Sequence, residues 1–154
     1  MITLKNSISI NKPIEKVFGF IANPENLPKW NYYLKTVHKI ADGNPVIGSQ
    51  YHQVRKKDEQ YFAITGFEEN RSIEFTSTKS SFLKFKRQFT FSIFEGVCMI
   101  DDIFEISTGL PLPAFINKLL GKKPQMAVKE NLLKLKQLLE TGQTILQDGR
   151  LISL

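Results

Sequence analysis

Two charged residues sit where alternating apolar side chains would otherwise run unbroken. In Phe85-Lys86-Arg87-Gln88-Phe89-Thr90-Phe91, Arg87 shares the parity of the phenylalanines, and in Ile100-Asp101-Asp102-Ile103-Phe104, Asp102 shares the parity of its apolar neighbours. A guanidinium among aromatic walls can hold a carboxylate, hydroxyl or carbonyl, and a carboxylate beside it can orient it or move a proton. Neither charge tolerates burial alone, so the two are expected to pair. Two readings stay open at this point: a polar anchor inside an apolar cavity, or a satisfied ion pair under a helix.

Asp101-Asp102 is no catalytic carboxylate pair, because adjacent strand residues point to opposite faces. Asp102 alone could serve as acid or base if burial raised its pKa, but Arg87 beside it would favour the charged form. Tyr51 offers a hydroxyl of the right parity. Asp102 and Tyr51 are therefore weak catalytic candidates. His38 and His52 lack a clustered third ligand and read as surface or strand-end residues. The lone Cys98, alternating with apolar neighbours, reads as a buried, inert thiol. Phosphate-loop, dinucleotide, zinc-protease and serine-hydrolase motifs are absent from the sequence. No metal or cofactor is expected.

The elements that must position these residues follow from periodicity. Ile2, Leu4, Ile8 and Ile10 predict a first strand, and Ile14, Val17, Phe18 and Ile21 the stripe of a helix opened near Pro13. Asn23-Pro24 stops that helix, and a short helix or turn follows over 25–30. Strands are predicted near 34–41, 47–56, 60–68, 71–78, 83–94 and 97–107, joined by hairpins into an antiparallel sheet. A Glu95-Gly96 turn sets Phe91 opposite Ile100, Phe89 opposite Asp102 and Arg87 opposite Phe104. A turn at Glu69-Asn70 sets Phe62, Ile64 and Gly66 on one face with Ile73, Phe75 and Ser77. A Lys57-Asp58 turn adds Tyr51 and Gln53 to that face. Gly121-Lys122-Lys123-Pro124 is expected to interrupt the helical C-terminal third. Val128, Leu132, Leu135 and Leu139 then carry a helix over 125–141, stopped by Gly142. Residues 143–154 read as a tail or a short added strand.

Length and charge bound the rest. A chain of 154 residues, 42% hydrophobic, can bury about two-thirds of its unfolded surface in one core. The net charge of +6 divides as +2 up to Ser77 and +4 beyond it, so no basic tail exists. Lys84 and Lys86 share their face with Gln88, Thr90 and Ser92 rather than with aromatic stacking platforms, which disfavours nucleic acid. A transient contact with an anionic membrane surface is allowed by the charge. Neither a secretory segment nor an 18-residue apolar run is visible, and with one cysteine the expected location is cytoplasmic.

The order of elements resembles the START-like, or Bet v 1-like (SRPBCC), superfamily. The stretch Ile8-Ser9-Ile10-Asn11-Lys12-Pro13-Ile14-Glu15-Lys16-Val17-Phe18-Gly19-Phe20-Ile21, followed by Asn23-Pro24-Glu25-Asn26-Leu27-Pro28-Lys29-Trp30, is similar to its polyketide cyclase/dehydrase and lipid transport branch. The resemblance implies an α+β helix-grip fold over residues 1–142, a curved antiparallel sheet wrapped around a long C-terminal helix, with two short helices after the first strand. It implies an internal cavity for hydrophobic molecules and no universal catalytic residue. Trp30, Phe62, Phe75, Phe89 and the Gly121 region would be wall and entrance positions; the Gly109–Pro124 stretch, rich in Pro, Gly and Leu, departs from the pattern and is expected to form a lid or a shortened helix.

The leading expectation is a monomer or homodimer binding a small hydrophobic or amphipathic molecule between sheet and helix. Arg87 would hold the ligand's polar end and Asp102 would orient Arg87. Trp30, Tyr51, Phe62, Ile64, Phe75, Phe89, Phe91, Ile100, Phe104, Leu132 and Leu135 complete the expected site. Alternatives are a cyclase or dehydratase-like enzyme using the same cavity, with Asp102 or Tyr51 moving protons, and a macromolecular interaction module without a ligand.

Overall fold

The structure, a computed structural model, describes residues 1–78, 83–108 and 113–154, with 114–121 as backbone alone. Strand β1 (Ile2–Ile10) leads into helix α1 (Ile14–Ile21) and a 3-10 segment over Pro24–Lys29. Pro13 caps α1 through its carbonyl, which accepts from the Lys16 and Val17 N–H groups, and the Asn23 side chain accepts from Glu25 N–H to start the next turn. Val17, Phe18 and Ile21 form the buried stripe of α1.

Six more strands follow, β2 (Leu34–Lys39), β3 (Gln50–Arg55), β4 (Glu59–Glu68), β5 (Ser72–Ser77), β6 (Leu83–Phe94) and β7 (Val97–Thr108). Together with β1 they make one antiparallel sheet in the order β1-β7-β6-β5-β4-β3-β2. The β6–β7 hairpin has the register read from the sequence, with Arg87 opposite Phe104 and Phe89 opposite Asp102. Glu95 and Gly96 both have positive φ, the geometry of the two-residue turn whose twist matches that of the strands.

Two turns differ from expectation. Val54 opposes Glu59 and Arg55 N–H donates to the Asp58 carbonyl, so the β3–β4 turn centres on Lys56-Lys57 rather than Lys57-Asp58. That displacement shifts partners by two residues, so Tyr51 and Gln53 keep the inner face. In the β4–β5 hairpin Ile64 opposes Phe75 as expected. A bulge at Thr65 then sets Gly66 opposite Glu74 and Phe67 opposite Ile73. Gly66 therefore leaves the inner parity, and Phe67 takes its place against Phe18. A Cβ at Gly66 would come 3.1 Å from Glu74 Cβ, a second reason for the small residue there.

Helix α2 spans Ala114–Thr141, 28 residues or about 42 Å. The expected break at Gly121–Pro124 does not occur, and Pro124 lies inside the helix. Gly and Pro lower helix propensity locally, but packing along the sheet decides the outcome here. Residues 109–112 of the expected lid lie outside the described residues, as do the side chains of 114–121. Gly142 ends α2 with φ 82°, its N–H donating to the Leu138 carbonyl. Leu138, rather than Leu139, is the fully buried leucine of the last turn. The reason lies beyond the helix: β8 (Gln143–Ile145) and β9 (Leu151–Ser153) form a separate hairpin folded back on α2, with Thr144 and Leu146 buried.

The main core collects Leu4, Ile10, Phe18, Trp30, Phe89, Phe91, Ile100, Leu132 and Leu135 between the sheet, α1 and the C-terminal half of α2. Phe18 meets Phe67 and Phe91 edge-on, with ring centroids 5.4 and 5.2 Å apart. From Trp30, aromatic contacts run through Phe89, Phe75 and Phe62 to Phe85 and Phe104, crossing from this packed end to the other end of the sheet.

Candidate functional site

The two halves of α2 present different side chains to the sheet. Leu132 and Leu135 fill the space above Phe89, Phe91 and Ile100. One and two turns earlier the helix offers Asn131, Val128, Ala127 and Pro124 instead, which are too short or too polar to reach the floor. A cavity of about 530 Å³ remains at that end. Its apolar walls include Ile2 and Leu4 of β1, Leu27 and Leu34, Phe62, Phe75, Phe85, Phe104 and Ile106. Met1, Tyr33, Arg55 and Lys123 reach the rim, and Met1 and Tyr33 are exposed there.

Arg87 is the charged group in the floor. It is 7% exposed, and Asp102 is 1% exposed. The Arg87 Nε donates to Asp102 Oδ1 at 2.9 Å and Nη2 donates to Oδ2 at 2.7 Å, a two-point fork. The guanidinium carbon lies 4.7 Å from the Phe89 ring centroid, 5.0 Å from Phe104 and 5.5 Å from Trp30. Its Nη1 carries no hydrogen bond among the described residues. Arg87 therefore reaches the cavity with donors in hand, while Asp102 stays behind it, spent on orientation.

Further polar groups line the walls in fixed chains. Gln53 Nε2 donates to Gln60 Oε1 at 2.7 Å, and Gln60 Nε2 donates to the Leu83 carbonyl at 3.2 Å. Asn131 Nδ2 donates to Asn31 Oδ1 at 3.1 Å. Among the described residues the wall includes three cationic side chains, Arg55, Arg87 and Lys123, and no carboxylate. Arg55 is paired with Asp58 at 3.1 Å.

Of the residues expected at the site, Phe62, Phe75, Arg87 and Phe104 stand in the cavity wall. Trp30, Tyr51, Ile64, Phe89, Phe91, Ile100, Asp102, Leu132 and Leu135 are buried but lie outside it, in the packed end or directly behind the wall. Tyr51 stacks on Phe62 at 5.2 Å with its hydroxyl buried and without a hydrogen-bond partner. Its pKa is pushed up to about 12, chiefly by burial, with the Glu25 charge adding to it and nearby Ser49 pulling slightly back. Cys98 is buried, and burial pushes its thiol up, with the Glu15 charge adding. His52 pairs with Glu59 at 2.8 Å and His38 approaches Glu25, neither at the cavity. Among the described residues no group of three or more metal-ligating side chains converges.

Sequence parity had already put Phe85 and Ile106 on the inner face, so the strand ends were readable as wall. Asn31, Leu34, Gln60, Ala127 and Asn131 were missed. The available signal was the change of size along α2, from leucines at 132 and 135 to Ala127 and Val128 one turn earlier.

The family described as polyketide cyclase / dehydrase and lipid transport matches residues 1–140. The chain belongs to this family. Residues 143–154, with the β8–β9 hairpin, lie beyond the match. Solved structures agree on the START-like helix-grip fold. DR_A0006 from Deinococcus radiodurans is 14% identical at a TM-score of 0.69, covering 92% of this chain and 99% of that one. A START superfamily protein from Mycobacterium smegmatis is 16% identical at 0.70, covering 88% and 98%. The Aha1 dimer from Colwellia psychrerythraea is 18% identical at 0.67, covering 92% and 98%. No curated protein sequence matches the chain. Among the described residues no helix is long and apolar enough to cross a membrane. As in the family generally, the fold and its cavity are consistent with ligand binding or with chemistry inside it.

Proposed function

We propose that this protein binds a small hydrophobic or amphipathic molecule in the cavity between sheet and helix, with its polar end on Arg87. The observation that carries this reading is a guanidinium in the floor of an otherwise largely apolar 530 Å³ space, held by Asp102 on one edge and unengaged on the other. That volume lies inside the range of about 300–1,000 Å³ typical of small-molecule sites. Burial of the apolar part, about 0.8 kcal/mol per CH₂, supplies most of the affinity, and Arg87 sets the orientation. Two of the wall cations are balanced by carboxylates, Arg87 by Asp102 and Arg55 by Asp58, so the wall favours an acceptor-bearing head through its donors, with Lys123 at the rim adding some preference for an anion.

The binding unit is residues 1–142, with 143–154 as an addition, acting in the cytoplasm as monomer or homodimer. Arg55 and Lys123 at the rim suit a brief contact with an anionic membrane surface during loading. An enzymatic reading finds less support, since neither Asp102 nor Tyr51 reaches the cavity wall.

The test compares dodecanoate with methyl dodecanoate on the parent and on Arg87→Met. Dodecanoate affinity should fall about tenfold in the variant while the ester changes little. Equal changes for both would remove the anchor. Native mass spectrometry of protein from its own host would then show what travels with it.

A further inference from the structure

The helix-side wall of the cavity contains a chain of three amides whose direction is set by a group that can only donate. Tyr33 backbone N–H donates to Asn31 Oδ1 at 3.1 Å, which fixes the oxygen of Asn31 on that side. Asn131 must then present Nδ2 to the same oxygen, and does so at 3.1 Å. Its own Oδ1 is left to face Gln147, whose Nε2 donates to it at 3.0 Å. Asn31 Oδ1 now accepts twice, and Asn131 Oδ1 accepts once from Gln147. The unspent capacity of the pair is mostly N–H: both hydrogens of Asn31 Nδ2 and one of Asn131 Nδ2, against one lone pair on Asn131 Oδ1. Asn31 and Asn131 both line the cavity, and Gln147 does not.

We propose that this amide pair is a second, donor-rich subsite, and that the ligand is an apolar molecule carrying two hydrogen-bond acceptors. One acceptor meets Arg87 in the sheet floor, and the other meets the Asn31–Asn131 pair on the helix side. Gln147 is the positioning residue. It sits in the turn of the β8–β9 hairpin, beyond the residues matched to the family, and its donation to Asn131 Oδ1 reinforces the orientation that Tyr33 N–H and Asn31 set. That contact has a cost that marks it as more than filler: Gln147 Oε1 is buried without a partner. The hairpin that carries it is held by Thr144 Oγ1 donating to Gln137 Oε1 at 2.7 Å and by buried Leu146. An element outside the cavity, beyond the family match, thus reinforces the polarity of one cavity wall.

The inference rests on the binding reading above, and one experiment separates the two. Dodecanoate and its 5-, 7- and 9-oxo derivatives are titrated into the full-length protein, following heat release and the fluorescence of Trp30, the sole tryptophan, whose ring lies 5.5 Å from Arg87. At least one oxo derivative should bind about fivefold more tightly than dodecanoate, the gain of one added hydrogen bond. Gln147→Leu should cut that gain at least by half while changing dodecanoate affinity little, a split that general loosening of the fold would not produce. Asn131→Asp, whose carboxylate only accepts, should abolish it. In the parent, the Asn131 side-chain NH₂ resonance should move with the oxo ligand and not with dodecanoate. Dodecanoate binding without any oxo preference, or a preference undiminished in both Gln147→Leu and Asn131→Asp, overturns the subsite and leaves the cavity reading standing. Failure of every acid to bind the parent overturns both.

Discussion

Arg87 and Asp102 meet diagonally across β6 and β7, each standing directly opposite a phenylalanine rather than opposite the other. The offset lets the long arginine lean along the sheet and present the Nε–Nη2 edge of its fork to both carboxylate oxygens. The other edge stays toward the cavity. Burial then makes the pair a conditional asset. Removing one partner strands a charge, whereas replacing both with apolar groups strands none.

Asp102→Ala should therefore cost about 3–5 kcal/mol in urea unfolding, while Arg87→Met combined with Asp102→Leu should recover most of that loss. The double variant should fold and still bind dodecanoate weakly. If Asp102→Ala costs under about 1 kcal/mol, water reaches the pair, and Arg87 is not a buried anchor.

The ion pair was legible because one turn, Glu95-Gly96, fixes the register of a hairpin twelve residues long on each side. Period-two alternation then assigns every face within it. The same logic failed at Gly66, where a bulge changed parity midway along β4; the signal was the glycine itself and the move of the apolar residues from Phe62 and Ile64 to Phe67. It failed also at Pro124, since local propensity is weaker than the packing of a long helix against a sheet. The cavity's place was misjudged for a third reason. Alternation tells which side chains point inward, but not whether the facing helix reaches them. Phe89 and Ile100 point inward as read and are covered by Leu132 and Leu135. Phe85 and Phe104 point inward equally and are left open because Ala127 and Val128 are short. Depth depends on paired sizes across two elements distant in sequence, and a single strand does not carry that information.

That contrast between the two ends is itself testable. Leu135→Ala, in the packed end, should cost about 2–5 kcal/mol through the void it leaves. Ala127→Phe, in the cavity wall, should leave stability within about 1 kcal/mol of the parent and abolish dodecanoate binding, because the ring occupies existing space. A loss from Ala127→Phe as large as that from Leu135→Ala would show that the end near 127 is already full.

Tyr51 gives an alkaline signature. With its folded pKa pushed up to about 12 against an ordinary value of 10.0, the folded protein keeps the phenol proton where the unfolded chain has lost it. The unfolded state then binds fewer protons, and stability falls as pH rises from about 10 through 12. Tyr51→Phe should flatten this part of the profile. Because the buried hydroxyl makes no well-formed hydrogen bond among the described residues, with Ser49 only a weak neighbour, the same substitution should change stability by less than about 1 kcal/mol at pH 7. A loss above about 1 kcal/mol at pH 7 would mean that the hydroxyl is bonded after all.

Glu140 should control part of the acid limb. It lies in the last turn of α2 and accepts from the Asn11 backbone N–H at 2.8 Å and from Lys136 Nζ at 2.9 Å, tying the helix end to the β1–α1 junction. Those two hydrogen bonds, led by the one from Asn11, hold its carboxyl below the usual range; partial burial opposes them weakly, and the Lys136 and Lys12 charges assist. The folded state thus releases this proton more readily than the unfolded chain does. The stability it contributes is present above the ordinary glutamate pKa and is lost as pH falls through the lower folded value. Glu140→Gln can still accept from Asn11 but carries no charge, so it should cost on the order of 1 kcal/mol at pH 7. It should also lessen the fall in stability as pH drops below the ordinary glutamate pKa. Carbon-detected titration of the Glu140 carboxyl in the parent checks the cause directly: a midpoint at or above that of a free glutamate would mean the tie to Asn11 is not made in solution.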